Sequence, residues 1–158
     1  MAALALAPEP GDEIVIPTFT FYGSATAAIY AGYTPVFIDA DPNTFNARPE
    51  AFEAAIGPRT KAIMPVHIYG QSCEMEGIMA VARRKGVRVI EDAAQALSVR
   101  LNGRHAGTFG DMGTFSLFSD KVITTGEGGI VVTDSDEIAA KLRLIRNQGR
   151  PNSGTFEH

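Results

Sequence analysis

Short apolar runs rich in β-branched residues alternate along the chain with helical patterns, and this alternation constrains the fold more than any other feature. The predicted strands cover residues 13–16, 35–38, 62–66, 87–90, 112–118 and 130–132. The predicted helices cover residues 23–31, 49–56, 74–85 and 134–147. Such an order is typical of parallel strands joined by crossover helices. We therefore predict an α/β fold in three layers, with a mostly parallel sheet covered by helices.

Residues at the ends of the helical patterns support these boundaries. Pro49 suits the first position of a helix, and Gly57 is expected to end that helix. Asp134 resembles the N-cap of the last helix, since Glu137 follows three residues later as in a capping box. Gly149 is expected to end the last helix.

Glycines mark the turns between the fourth and fifth predicted strands. Asn102-Gly103 follows residues 98–101 and predicts a hairpin with a tight turn. Gly107, Gly110 and Gly113 are interpreted as turn residues ahead of the next strand.

Composition narrows the classes of function. The 158 residues, 45% of them hydrophobic, suffice for one domain with a sizeable core. The chain has 14 basic and 18 acidic residues and no cluster of basic residues, so nucleic acid and anionic membranes are not expected as partners. The lone Cys73 cannot form an internal disulfide, and no metal-ligand spacing or long apolar run is present. We expect a cytoplasmic protein that acts on small molecules.

Residues 115–129 contain one lysine, Lys121, between a predicted strand and a group of glycines. The glycines would let the backbone turn tightly and approach whatever Lys121 contacts. A lysine in such a dry site can act as an amine nucleophile that forms a Schiff base. The alternative is a solvated surface lysine, because lysine is rarely buried.

A second group of polar residues, at positions 91–95, directly follows the fourth predicted strand. Ligands of open α/β sheets bind at the carboxyl ends of strands, so Asp92 and Gln95 are expected where Lys121 also reaches. A lysine, an acid and hydroxyl or amide donors such as Ser116 are the groups that pyridoxal phosphate (PLP) requires. Alternatively, Asp92 is a helix N-cap.

Four segments together resemble a known family. They are residues 11–21, 65–70, 91–95 and 115–129. In order and spacing they are similar to the DegT/DnrJ/EryC1/StrS sugar aminotransferases, which belong to the fold-type I PLP enzymes. The resemblance extends from about residue 4 to the end of the chain. It implies the fold of the large domain of those enzymes.

The resemblance also implies roles for five residues. Lys121 would hold the cofactor covalently and shuttle the proton during transfer. Asp92 would pair with the pyridine nitrogen, and Gln95 would lie by the phenolic oxygen. Ser116 would donate to the phosphate. Phe21 would stack on the ring, although it could instead be a core residue.

His67 lies in a segment similar to the family but is interpreted as a structural histidine. The implied reaction is transfer of an amino group, from glutamate or glutamine, to a keto-sugar linked to a nucleoside diphosphate, in a homodimeric enzyme. Sugar dehydratases of the same family carry histidine in place of the lysine, so Lys121 favours transfer. A non-catalytic remnant remains an alternative. A nucleotide-binding domain of another kind is a weaker alternative, because its glycine motifs are absent.

The family is roughly twice as long as this chain. Its phosphate-binding turn lies ahead of the position that matches Leu4, and its smaller C-terminal domain lies beyond the segment matched here. Residues 1–158 are therefore expected to form a partial PLP-binding large domain, inactive alone, with a frayed or severed end at residues 150–158. The last helix is expected to expose apolar surface.

Overall fold

The computed structural model describes residues 1–150 as one central sheet flanked by helices. The irregular end predicted at residues 150–158 lies, after Arg150, outside the described residues. The strands are β1 Glu13–Pro17, β2 Thr34–Ile38, β3 Thr60–Ile63, β4 Arg88–Asp92, β5 Arg100–Leu101, β6 Arg104–His105, β7 Met112–Ser116 and β8 Gly129–Val132. The helices are α1 Ala2–Ala5, α2 Gly23–Ala31, α3 Pro49–Ala55, α4 Met75–Lys85 and α5 Asp136–Arg146.

Six strands form the central sheet in the order β2-β1-β3-β4-β7-β8. All neighbouring pairs are parallel except β7 and β8, which are antiparallel. The carboxyl ends of β1, β3, β4 and β7 therefore lie at one edge of the sheet. The predicted α/β class with a mostly parallel sheet is confirmed.

Successive side chains of β1 face opposite sides of the sheet, which produces two apolar cores. Ile14 and Ile16 pack in a core with residues of α1, α2 and α5, whereas Val15 packs in a core with Phe52 of α3 and Ile78 of α4. The molecule consequently has three layers, as predicted. No helix within residues 1–150 is long and apolar enough to cross a bilayer.

The third predicted strand is displaced along the chain. We predicted residues 62–66, but β3 spans Thr60–Ile63. The Met64 amide still donates to the carbonyl of Val15 at 2.8 Å, and Pro65, which has no amide proton, follows it. Val66 forms an isolated parallel bridge with Asp92.

The N-cap of helix α5 lies one residue later than predicted, at Ser135 and not at Asp134. The Ser135 hydroxyl accepts a hydrogen bond from the Ile138 amide at 3.3 Å. The helix ends at Arg146, three residues ahead of Gly149, which has a positive φ of 80°. Ile138 and Leu142 of this helix are buried in the core that contains α1, whereas Leu144 is 40% exposed, so the expected apolar exposure is limited to part of the helix.

The predicted hairpin is present as β5 and β6. Asn102 and Gly103 both have positive φ, 50° and 83°, as a tight two-residue turn requires. The interpretation of Gly113 as a turn residue is wrong, because it lies inside β7. A Cβ there would lie 1.8 Å from the Gly107 carbonyl oxygen, so only glycine fits this close approach.

Candidate active site

A cleft of about 670 Å³ opens where β4 and β7 end and α2 begins. Its walls include all five residues that the sequence predicted to form a site. They are Phe21, Asp92, Gln95, Ser116 and Lys121. The cleft lies at the carboxyl edge of the parallel strands, where ligands of open α/β sheets bind.

Asp92 is the last residue of β4, and its backbone is hydrogen-bonded on both sides. Its amide donates to the Pro65 carbonyl at 2.9 Å, and its carbonyl accepts from the His67 amide at 3.0 Å. The side-chain Oδ1 accepts from the Ala94 amide at 3.1 Å, and Oδ2 accepts from the Ser24 hydroxyl at 2.7 Å. A turn, not a helix, follows Asp92, so its interpretation as a helix N-cap is wrong.

The side-chain orientation of Gln95 follows from its partner. Its Oε1 accepts a hydrogen bond of 2.7 Å from the backbone amide of Tyr69. Because an amide proton must meet an acceptor, this bond assigns the oxygen, and the Gln95 NH₂ group is the other end of the side chain. Gln95 therefore presents a donor beyond its contact with Tyr69.

Ser116 ends β7 and lines the cleft. Its Oγ accepts a hydrogen bond from the Phe118 amide at 3.3 Å, which uses one lone pair. A serine hydroxyl also carries one proton, and no acceptor for it is found in the described part of the chain. Ser116 can therefore donate to a ligand group in the cleft.

Lys121 follows β7 in the loop that leads to β8. Of the four lysines of the chain, all within the described residues, it alone lines the cleft. Its side chain is 23% exposed, and Nζ lies 3.3 Å from Oδ1 of Asp120. Residues 122–130 next to Lys121 are exposed, and Val122 reaches 95%, so the loop beyond the lysine is open to water.

Backbone hydrogen bonds hold both sides of the Lys121 loop together. The Leu117 amide donates to the Gly128 carbonyl, and the Thr125 amide donates to the Leu117 carbonyl, each at 3.0 Å. These contacts continue the antiparallel pairing of β7 with β8. Lys121 is thus carried by a closed loop anchored on the sheet.

Phe21 lies just ahead of α2, with 64% of its surface exposed. Its ring centroid is 4.2 Å from that of Tyr22. The alternative interpretation of Phe21 as a core residue is therefore wrong. An exposed ring at the wall of a cleft is available to stack on a flat ligand.

His67 and Glu91 form a completely buried pair behind the cleft. The His67 Nδ1 accepts from the Cys73 amide at 3.1 Å, so the proton is assigned to Nε2, which lies 3.0 Å from Glu91 Oε2. His67 uses both nitrogens inside the protein. Its interpretation as a structural histidine is confirmed.

Glu91 also anchors the segment that precedes β7. Its two oxygens accept backbone amide protons at 2.6–2.7 Å from Gly107, Phe109 and Gly110. Sequence reasoning treated Glu91 only as part of a motif. The available signal was a carboxylate that follows the apolar residues of β4, since buried charges need several partners.

Cys73 packs beside this pair, and its thiol donates to the Val66 carbonyl at 3.1 Å. Burial, reinforced by the negative charge of Glu91, raises the pKa of the Cys73 thiol to about 12. Cys73 is therefore a structural thiol. Over residues 1–150, no three His, Cys, Asp or Glu side chains cluster closely enough to hold a metal ion.

Ser24 and Thr20 are two hydroxyl residues of the cleft that sequence reasoning missed. Ser24 contacts Asp92 across 68 positions of sequence, and Thr20 contacts Ser24 at 2.8 Å. No local pattern encodes a contact of that separation. The only available signal was a small polar residue at the start of a helix that is otherwise rich in alanine.

The fold and the cleft define a class of protein. A three-layer α/β domain that collects a lysine, an acid and polar donors at the carboxyl edge of its sheet has the architecture of the large domain of fold-type I aminotransferases. Residues 1–158 match the DegT/DnrJ/EryC1/StrS aminotransferase family over their whole length. The chain belongs to this family.

Two curated relatives are about half identical to the chain. GDP-perosamine synthase of Caulobacter vibrioides is 52% identical over 149 residues, which are 94% of this chain and 40% of the relative. The UDP-N-acetyl-3-dehydro-α-D-glucosamine 3-aminotransferase of Acidithiobacillus ferrooxidans is 51% identical over 150 residues, 94% of this chain and 41% of the relative. The chain thus spans about two fifths of the length of these relatives.

Solved structures of similar proteins share the fold. An aminotransferase from Psychrobacter cryohalolentis has a TM-score of 0.92 and 38% identity. The match covers 99% of this chain and 40% of the aminotransferase. NtdA from Bacillus subtilis, solved with bound cofactor PMP, has a TM-score of 0.83 and 36% identity. The match covers 90% of this chain and 32% of NtdA.

Proposed function

We propose that this chain is part of a PLP-dependent enzyme that transfers an amino group to a keto-sugar linked to a nucleoside diphosphate. One observation carries the proposal: five side chains with the chemistry of a PLP site line a single cleft, and Lys121 is the one lysine among them. The two relatives named for nucleotide-sugar products or substrates support the substrate class.

The donor set of the cleft fits PLP. It contains an acceptor carboxylate on Asp92, an amide donor on Gln95, a hydroxyl donor on Ser116 and an exposed ring on Phe21. PLP supplies an electron sink, through which a carbon–hydrogen bond next to the bound nitrogen can be broken. A structural neighbour with bound PMP, the amine form of the cofactor, is consistent with this choice.

Asp92 and Phe21 would bind the ring of the cofactor. The Asp92 carboxylate would accept a hydrogen bond from the protonated ring nitrogen. Such a charge-assisted bond is roughly twice as strong as a neutral one. Phe21 would cover one face of the ring and exclude water from it. Together they would keep the ring charged and flat.

Gln95 and Ser116 would bind the two oxygen-bearing sides of the cofactor. The free NH₂ end of Gln95 would donate to the phenolic oxygen, because the opposite end is held by Tyr69. The Ser116 hydroxyl would donate to the phosphate. In the complete protein, further amide donors are expected to bind the phosphate as well.

Lys121 would hold the cofactor through its amine and then move the proton. When the amine of the donor takes its place, the Lys121 Nζ would be free to act as a base. It would take the Cα proton of the donor and return it to the former aldehyde carbon of the cofactor. Its loop is tied at both sides, so Nζ is carried by a closed backbone segment. Glutamate, or alternatively glutamine, is the proposed donor.

The complete protein is proposed to contain residues 1–158 within its large domain and to act as a homodimer. Its sugar would be bound largely by segments outside this chain. The 158-residue chain alone is therefore expected to bind PLP weakly and to transfer no nitrogen. Tight binding of PLP together with turnover by the chain alone would contradict this part of the proposal.

The experiment joins this chain to the remaining segments of the Caulobacter relative and assays the purified chimera with PLP, glutamate and keto-sugar nucleotides. We expect glutamate-dependent formation of an amino-sugar nucleotide. Mass spectrometry of the product made with ¹⁵N-glutamate measures the nitrogen transferred. Loss of water from a deoxy keto-sugar without nitrogen transfer would instead identify a dehydratase. A folded chimera that binds no PLP would indicate a non-catalytic remnant.

A further inference from the structure

The Ser24 hydroxyl contacts the carboxylate that the proposed function assigns to the ring nitrogen of the cofactor. Ser24 is the second residue of α2, is 6% exposed, and lies 2.7 Å through Oγ from Oδ2 of Asp92. The bond connects the first turn of α2 to the end of β4. Both residues line the same cleft.

The direction of each hydrogen bond follows from the number of protons available. An ionised Asp92 can only accept, so the single hydroxyl proton of Ser24 points to Oδ2. Ser24 must then accept in its second bond, and Thr20 donates to it at 2.8 Å. The result is a directed chain from Thr20 through Ser24 to Asp92, and bonds in such a chain strengthen one another.

The hydrogen bonds from Thr20 through Ser24 hold Oδ2 of Asp92, and a backbone contact holds its Oδ1. Oδ1 accepts from the Ala94 amide at 3.1 Å, so the two oxygens of the Asp92 carboxylate are held by different parts of the fold. Each carboxylate oxygen has about two acceptor sites. A further donor can therefore still bind Asp92 after Ser24 and Ala94 have fixed its plane.

We propose that Ser24, supported by Thr20, is a positioning residue that sets the orientation of the Asp92 carboxylate for the pyridine nitrogen. The inference rests on the proposed function for the identity of that nitrogen, but the orienting role is a property of the chain itself. Ser24 acts through Asp92 and contacts no reacting atom. Without its hydroxyl, Asp92 keeps only the Ala94 bond and can rotate away from the cleft.

The test compares four variants of the 158-residue chain. Ser24→Ala removes the donor to Asp92, and Ser24→Thr keeps a hydroxyl. Thr20→Val removes the hydroxyl that donates to Ser24. Thr26→Val is the matched control, because among the described residues the Thr26 hydroxyl bonds only to the Gly23 carbonyl of its own helix, at 3.3 Å. Unfolding free energies of all four are measured in parallel, so that loss of fold is recognised.

The first measurement needs no cofactor. NMR three-bond couplings of Asp92 report whether its side chain occupies one rotamer. We expect one rotamer in the parent chain, in Ser24→Thr and in Thr26→Val, and mixed rotamers in Ser24→Ala and, to a smaller extent, Thr20→Val. A single rotamer in both Ser24→Ala and Thr20→Val would overturn the inference.

The second measurement is a titration with PLP. Ser24→Ala should bind PLP about tenfold more weakly, as expected for loss of one hydrogen bond to a charged group, and Ser24→Thr should restore binding. Equal affinity of Ser24→Ala and the parent would overturn the inference. If the parent chain binds no PLP, the titration is repeated in the chimera, where absence of binding would contradict the proposed function. The rotamer measurement decides the role of Ser24 in either case.

Discussion

His67 donates from Nε2 to Glu91 Oε2 over 3.0 Å, inside a region where neither side chain is exposed to water. Glu91 directly precedes Asp92, and the His67 amide binds the Asp92 carbonyl. The buried pair therefore fixes the backbone from which the cleft carboxylate projects. A group that never contacts a ligand thus contributes to the geometry of the site.

Replacing Glu91 with Gln should destabilise the protein by about 3–5 kcal/mol, because a buried charge network loses its acceptor partner. The new NH₂ group would face backbone amides that can only donate. Denaturant unfolding measures the change. The control is Glu53→Gln, since the exposed Glu53–Arg84 pair is screened by solvent and should contribute little to stability. Equal effects of the two variants would contradict the role of Glu91.

In the chimera with the Caulobacter relative, Lys121→Ala should abolish the borohydride-reducible link to PLP. It should also lower transfer by about 10³-fold or more, because both the holding amine and the proton carrier are lost. Weak non-covalent binding through Asp92, Ser116 and Phe21 should remain. Peptide mapping of the reduced protein locates the link, with Lys141→Ala as control, since Lys141 pairs with Glu137 away from the cleft. Reduced cofactor on Lys61 or Lys141 would overturn the assignment.

Cys73 should resist alkylation in the native protein and react quickly after denaturation. Its folded pKa of about 12 exceeds the unfolded value of 9.0, so the thiol remains protonated at neutral pH. Protonation favours the folded state below pH 9, and that contribution is lost as the pH rises from about 9 to about 12. Unfolding measured against pH should show this loss in the parent and not in Cys73→Ala. Rapid native labelling at pH 7 would contradict the prediction.

Gly113→Ala should destabilise the fold by about 3 kcal/mol or more, since its Cβ would overlap the Gly107 carbonyl and force the turn that contains Gly107 away from β7. Gly57→Ala is the matched control, because a Cβ at Gly57 meets nothing within 4 Å. Thermal unfolding measures both variants. A Gly113→Ala protein as stable as Gly57→Ala would show that the backbone adjusts without cost.

The strands and the position of the cleft were predictable because local patterns encode them. Buried parallel strands appear as apolar runs, and the rule that ligands bind at carboxyl ends brought Asp92, Ser116 and Lys121 to one edge. The structure places these residues in one cleft, while their roles toward PLP stay predictions. The resemblance to an aminotransferase family, stated from four segments, is confirmed by the family match.

The remaining features depend on contacts that no local pattern contains. Asp134 and Ser135 are both good helix caps, and only backbone geometry decides that Ser135 serves. Gly113 looks like a turn residue until its approach to Gly107 is known. The pairing of Ser24 with Asp92 spans 68 positions, so it follows from the packing of α2 against the sheet and not from neighbouring residues.

The closed loop that carries Lys121 constrains how this part of the protein can vary. Leu117 is bonded to both Gly128 and Thr125, so the span between β7 and β8 has a fixed contour. An extra residue between Leu117 and Thr125 could not be absorbed by loosening the ends and would shift the amine relative to Asp92. Length variation among natural versions of this domain is therefore expected to avoid residues 117–125 and to concentrate in the exposed hairpin of β5 and β6.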